Sequence, residues 1–329
     1  MTGVLVVDKP SGITSHDVVA VARRALGERS IGHTGTLDPM ATGVLPLACG
    51  KATRLARFLS ASTKDYDATI RFGVTTDTYD ITGTRTAEGP ARPTRAAVEA
   101  ALAALSGAYD QMPPPYSAKK VAGRRAYTMA RRDEPVVLRA VPVRVTRAAL
   151  LAFDGDTAAV TITCSSGFYV RSFAHELGRM VGTGACLDAL RRTRSGDFTL
   201  AAAVPFDLLA APPGPPQPER LHQLTAFLLR PEALLPELPS VRLTAEGVAW
   251  ASHGRDLGPA QWLDRARLDE TAAGREASEK EERGASERET PGTAETKRWV
   301  RLLDAHGALV AVASPGATEG ALHPSVVLI

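Results

Sequence analysis

The chain has 329 residues, 44% of them hydrophobic, and a formal net charge of +3, a length that suits one large domain plus a smaller one. No run approaches eighteen apolar residues, which excludes a single-helix membrane span, and the opening MTGVLVVDKP lacks the basic and apolar regions of a secretory leader. Cys49, Cys164 and Cys186 are widely spaced with no CxxC pair, which argues against a disulfide framework or a zinc site and fits a reducing cytoplasm. Charge is uneven: residues 1–200 hold 26 Lys and Arg against 18 Asp and Glu, and the remainder 13 against 18. A basic large domain therefore precedes an acidic region, and its charge points to a polyanionic partner.

In chain order, GVLVVD at 3–8 reads as a short buried strand, and Ser15 as the cap of a helix with Val18, Val19, Ala22 and Leu26 inward and Gly27 as its stop. Residues 44–48 suit a strand. KDYDATIRF at 64–72 alternates strictly, with Tyr66, Ala68, Ile70 and Phe72 on one face. Residues 94–105 form an amphipathic helix with Ala97, Val98, Ala101, Leu102 and Leu105 inward. PPPYSAKKVAGRRAYTMARR, from 113 to 132, has no clear core face and reads as an excursion from the core. A strand at 158–164 follows, and GFYVRSFAHELGRMVG runs from a strand into a helix that stops at Gly182. The proline-dense 211–219 opens a linker, expected over 211–237. The C-terminal part, 238–329, ends with two strand-like runs around an AHG turn. Residues 264–297, charged and nearly devoid of large apolar side chains, read as a disordered insertion. The pattern is α+β with mainly antiparallel strands, not a βαβ repeat.

The chemistry concentrates in GHTGTLDPMATGVL, residues 32–45. An Asp-Pro pair is a common helix start, with Asp38 as cap and Pro39 at the first helical position. Gly32, Gly35 and Gly43 around it instead suit close backbone approach or unusual dihedrals, and would leave Asp38 open to a ligand as nucleophile or base. Arg171, at a helix start where the dipole disfavours a cation, needs a local anion. Tyr66 and Tyr169 fit either a core or a site, and His33 a ligand contact or a structural one. Asp77 and Asp80 read as turn acids. Lys119, Lys120, Arg124, Arg125, Arg131 and Arg132, with Tyr127 interleaved, suit phosphate neutralisation and base stacking, or a solvated basic helix. There is no phosphate loop, GxGxxG, HExxH or GxSxG, and the histidines lack metal-ligand spacing, so the reaction is expected to need neither cofactor nor metal.

Together GVLVVDKPSGITSHDVV, GHTGTLDPMATGVLPLACGKATR, KDYDATIRFGVTTDTYDITG, PPPYSAKKVAGRRAYTMARR and GFYVRSFAHELG closely resemble the TruB family of bacterial tRNA pseudouridine-55 synthases, in family order over about residues 3–200. The resemblance implies a catalytic domain over 1–210 with a mainly antiparallel sheet of pseudouridine synthase type and flanking helices, and a basic RNA-clamping insertion over 113–132. More weakly, it implies a PUA-like RNA-binding module over 238–329, here interrupted by the charged insertion. It implies that Asp38, Tyr66 and Arg171 are catalytic. On the substrate side it places His33, Tyr169, Leu190 and Lys9, with Lys119, Arg124, Arg125 and Tyr127 on the clamp. The implied reaction isomerises uridine 55 of the tRNA T-loop after the base is flipped out.

Three other readings compete. A guide-RNA-dependent pseudouridylase shares the catalytic block, although the chain starts only a few residues before its DKP motif and leaves little room for an N-terminal extension. A non-catalytic RNA-binding or RNA-chaperone protein would use the same clamp without chemistry. A glycosidase-like hydrolase would need a second acid, such as Asp65. The favoured expectation is a cytoplasmic, stand-alone, monomeric enzyme.

Overall fold

Gly3–Lys9 (β1) is an unbroken apolar run, and it lies inside the largest sheet with Val4, Leu5, Val6 and Val7 fully buried. The structure is a computed structural model that describes residues 1–60, 62–89, 92–116, 120–121, 124–125, 138–210, 218–263 and 299–329. Helix Ser15–Leu26 (α1) buries the expected Val18, Val19, Ala22 and Leu26 and ends on Gly27 in the left-handed conformation. Its cap is Thr14 rather than Ser15: Thr14 and Asp17 bond reciprocally in a capping box. Ile31–His33 (β2) and Thr42–Cys49 (β3) follow as an antiparallel pair, then a short helix, Ala56–Ser60 (α2).

Lys64–Phe72 (β4) shows the predicted alternation, with Tyr66, Ala68, Ile70 and Phe72 all buried. A small hairpin, Val74–Thr76 (β5) with Arg85–Glu88 (β6), precedes helix Arg95–Ala104 (α3) and strand Gly107–Gln111 (β7). Lys120–Val121 (β8) pairs with Arg124–Arg125 (β9). Val141–Phe153 (β10) and Thr157–Cys164 (β11) form a long antiparallel pair. Helix Val170–Met180 (α4) begins directly after Tyr169. No strand leads into it: residues 165–169 are a loop, because Gly167 takes a positive φ of 81°. Ala185–Ser195 (β12), Phe198–Thr199 (β13), Val204–Pro205 (β14) and helix Phe206–Ala210 (α5) complete the large domain's core.

The strand order is β14-β1-β3-β12-β4-β11-β10-β7, mostly antiparallel, with parallel pairing at β1–β14 and β3–β12. One face of the sheet carries Leu5, Leu47, Ile70 and Ile162 against Val18 of α1, Leu102 of α3 and Phe173 and Leu177 of α4.

Residues 218–237, expected as linker, are built onto this domain. Helix Pro218–Ala226 (α6) buries Leu224, and Leu228–Leu229 (β15) pairs with β1, so apolar side chains in this stretch find a core to join. The C-terminal module is β-rich: Ser240–Arg242 (β16), helix Ala245–Ser252 (α7), Val300–Leu303 (β17), Leu309–Pro315 (β18) and Leu322–Val327 (β19), with β17 and β18 forming the expected hairpin. Leu234, Leu309, Val312 and Leu328 pack on Val4, Val6 and Val44, the second face of β1 and β3. Residues 211–217 and the charged insertion 264–297 lie outside the described residues. Among the described residues no helix is long and apolar enough to cross a membrane.

Phe72 is 5% exposed and meets Phe153 edge to face. Phe72→Asp exchanges that ring for an unpaired buried carboxylate, and its melting temperature is expected to fall by roughly 10 °C, from a cost of about 3–5 kcal/mol. An unchanged melting temperature in a thermal scan would contradict the strand face assigned here.

Candidate active site

Asp38 sits between β2 and β3 in a turn closed by the Ala41 N–H donating to its carbonyl at 3.0 Å. No helix follows, so Asp38 is not a helix cap, and its carboxylate is free to face outward. The chain on both sides is tied down. The Ser15 hydroxyl, buried at the start of α1, accepts from Leu37 N at 2.8 Å and donates to Leu37 O at 3.0 Å. Lys9 donates to the carbonyls of Pro10, Pro39 and Ala41. Arg192 of β12, 1% exposed, donates to Gly35 O at 3.0 Å and to Val44 O at 2.7 Å. Of the glycines around Asp38, Gly43 is indispensable: at φ 98° a Cβ there would lie 2.2 Å from the Arg192 carbonyl oxygen.

Two sequence expectations change. Lys9, expected at the substrate, is fully buried with carbonyl partners on its ammonium, so it holds the loop rather than facing RNA. Ser15, expected as a cap, is a tether for the Asp38 loop.

Arg171, the second residue of α4, has the anion that its position demanded. Its Nε lies 2.8 Å from Asp38 Oδ2, and its Nη2 donates to Asp38 Oδ1 at 3.1 Å. The guanidinium is 7% exposed and the Asp38 side chain 33%, so the acid is the open half of the pair. Behind it, Asp80 Oδ2 lies 3.8 Å from Arg171 Nε, while the Thr78 and Tyr116 carbonyls accept from Nη1 and Nη2. Asp80 therefore does more than shape a turn: its buried carboxylate, held by Thr78 and Thr82, backs the guanidinium.

Tyr66 is 6% exposed and paired across strands with Arg192. Burial holds its phenol above the ordinary value, with Arg192 pulling the other way and the Asp38 charge adding to the rise. A neutral hydroxyl next to the buried Arg192 guanidinium is the result. Leu190, 7% exposed, lies two residues before Arg192 and directly across from Ala68. Beside the loop opens a cleft of about 580 Å³ whose walls include Ser11, Met40, Thr42, Ile81, Leu151 and Leu190.

His33 is partly buried on β2, and burial lowers its pKa. Tyr169 is the residue before α4, its backbone N–H and carbonyl both bonded to the Gln111 side chain, which fixes where Arg171 starts. Asp65, the second acid a hydrolase would require, points away from Tyr66 along β4 and is held in a two-point ion pair by Arg194 at 2.6 and 3.0 Å. Arg124 and Arg125 lie on the short β9, while Lys119 and Tyr127 fall outside the described residues. Among the described residues no cluster of His, Cys, Asp and Glu could hold a metal ion.

The sequence reading missed Asp80 and Arg192. Arg192 shares the inward phase of Leu190, a signal available only once the strand is known to lie beside β4.

Lys64, packed under Gly35, donates to the Ser60 and Ser62 carbonyls, and burial pushes its ammonium down from 10.5 to about 8. With the folded value below the unfolded one, the desolvation cost is fully present below pH 8 and is relieved as pH rises toward 10.5. Wild type is therefore expected to gain stability relative to Lys64→Met between pH 8 and about 10. A Tm difference that stays flat across that range would contradict it.

The model of the TruB family pseudouridylate synthase N-terminal domain matches residues 23–170, and that of the tRNA pseudouridylate synthase B C-terminal domain matches 171–214. A tRNA pseudouridine synthase B from Solibacter usitatus is 43% identical, over 78% of this chain and 86% of the relative. One from Thermobifida fusca is 45% identical, over 78% of this chain and 87% of the relative. Among solved structures, a Cbf5-Nop10-Gar1 complex matches with a TM-score of 0.67 at 24% identity, covering 100% of this chain and 85% of that one, which establishes a common fold. Identity of this order over most of both chains, with the two domain models meeting at Arg171, shows that the chain belongs to the TruB family of pseudouridylate synthases.

Proposed function

We propose that this chain isomerises uridine 55 in the T-loop of tRNA to pseudouridine, with Asp38 as the catalytic aspartate. The observation that carries this reading is the Asp38–Arg171 pair, a part-exposed carboxylate on a tethered turn against a buried guanidinium. The curated relatives that share the family are named tRNA pseudouridine synthase B, and the basic charge of residues 1–200 suits their substrate class.

The reaction breaks the N1–C1′ glycosidic bond, turns the uracil and forms a C5–C1′ bond. The proton on C5 leaves and N1 gains one, so atoms balance and no redox partner is required. Arg171 holds the Asp38 carboxylate in place through a two-point ion pair, and Asp38 then acts as nucleophile toward the base or the sugar, or as a base toward the sugar. Tyr66 presents a neutral ring for the uracil to stack on, and its oxygen stands near Arg192, which would steady negative charge there as the C5 proton is removed. Leu190 supplies an apolar wall. A stacked uridine cannot reach a carboxylate in this position, so the base must be flipped out, at a cost of a few kcal/mol that phosphate contacts and stacking offset. The segment 113–132 closes over the T-arm, with Lys119, Arg124, Arg125 and Tyr127 as its RNA contacts, and His33 supports the opened loop. The catalytic domain spans 1–210 in this reading, and the module at 238–329 adds RNA-binding surface.

Tritium release from a tRNA transcript labelled at uracil C5, with EDTA present, tests this reading. Wild type is expected to release label from position 55 without added RNA or protein, and Asp38→Ala to be slower by about 10³-fold or more. Release by both forms would overturn the assignment of Asp38. A requirement for guide RNA, or tight binding with no release, would overturn the stand-alone activity.

A further inference from the structure

Tyr79 is one of the non-glycine residues with positive φ, at 65°. A bulky residue in the left-handed region is strained and persists only where its surroundings hold it. Its neighbours are the groups that grip Arg171. The Thr78 carbonyl accepts from Arg171 Nη1 at 3.1 Å, and the Asp80 carboxylate lies 3.8 Å from Arg171 Nε. Both contacts require the chain to reverse between 78 and 80, and Tyr79 is where it does so.

The Tyr79 ring lies flat on the His175 ring, with centroids 3.9 Å apart and planes inclined by 8°. His175 is on α4 one turn after Arg171, so the ring that holds the turn and the guanidinium that the turn grips belong to one rigid helix. Burial keeps His175 below its ordinary pKa, which suits a neutral stacking ring. Beside the ring pair is a cavity of about 230 Å³ whose walls include Tyr109, Gln111, Met112 and Ser172. A side of the pair is therefore open, and the ring-on-ring contact has to do what a filled core would do elsewhere. The sheet completes the frame: Leu187 of β12 donates its N–H to Tyr79 O at 3.0 Å and accepts from Ile81 N at 2.8 Å.

We propose that the Tyr79–His175 ring pair is a positioning device for Arg171, holding the 78–80 turn in its left-handed form so that the guanidinium keeps its aim at Asp38. This rests on the reading of Asp38 and Arg171 as the catalytic pair. Neither ring is assigned a contact with RNA.

The test compares Tyr79→Asn, His175→Ala and Tyr79→Phe. Asparagine tolerates a left-handed backbone, so Tyr79→Asn removes the ring while sparing the turn's sterics. Tyr79→Asn and His175→Ala are each expected to lower kcat by about tenfold to a hundredfold, with KM for tRNA within about threefold. Tyr79→Phe, which keeps the ring, is expected to stay within about threefold of wild-type kcat. In ¹H–¹⁵N spectra the Arg171 Nε–Hε resonance, assigned by its loss in Arg171→Lys, is expected to shift in the ring-deleted forms and to hold its place in Tyr79→Phe. Thermal scans on the same samples verify that each form is folded. A kcat within twofold of wild type in both ring-deleted forms, a loss confined to KM, or an unmoved Arg171 resonance would overturn the proposal. If Asp38→Ala is inactive while the ring-deleted forms are normal, the positioning role alone fails. If Asp38→Ala is active, the underlying reading fails with it.

Discussion

The site depends on one buried guanidinium. Arg171 is held where a helix start offers it no help from the backbone dipole, and it stays there because Asp38, Asp80 and two main-chain carbonyls compensate for the water it has lost. A buried cation so surrounded tolerates little displacement, since each partner it abandons leaves an unpaired group in a poor solvent. Asp38 inherits that rigidity. Its carboxylate is presented to solvent, while the atoms carrying it are fixed from below by Ser15, Lys9 and Arg192.

That arrangement divides labour by charge. Lys9, Lys64 and Arg192 sit under the loop and spend their hydrogen bonds on carbonyl oxygens rather than on carboxylates. Neutral acceptors satisfy these cations without cancelling their field, so positive potential remains beneath Asp38 and Tyr66. Such a field stabilises negative charge that develops above it.

Much of this was legible in the residues. Asp38 stood out because glycines surround it, Tyr66 because the alternation around it is strict, and Arg171 because a cation at a helix start demands an anion. What stayed hidden shares one cause. Asp80 reads as an ordinary turn acid, Lys9 as a substrate contact and Ser15 as a cap, because each has its deciding partner on a segment remote in sequence or across a turn that local pattern does not describe. Arg192 is the sharpest case, since its meaning comes from the insertion of β12 between β3 and β4. A bulge near Leu187 and another near Arg192 set which of its side chains face Tyr66, and bulges leave no local signature. Beyond the proline run the local signal is weak for a simpler reason: Leu224 and Leu228 are sparse, and only the edge of β1 reveals where they belong.

The central place of β12 has a consequence for synthesis. Asp38 and its tethers at Ser15 and Lys9 leave the ribosome early, but Arg171 and Arg192 emerge more than a hundred residues later. Until β12 slots in beside β3, the N-terminal strands expose the open flank that it will fill, and the aspartate has no counter-ion and no floor. Because long-range pairing of this kind is slow to form, a nascent or truncated chain ending before β12 can gather its first strands and still offer RNA nothing to react with. The site is complete only once β12 is in place between β3 and β4.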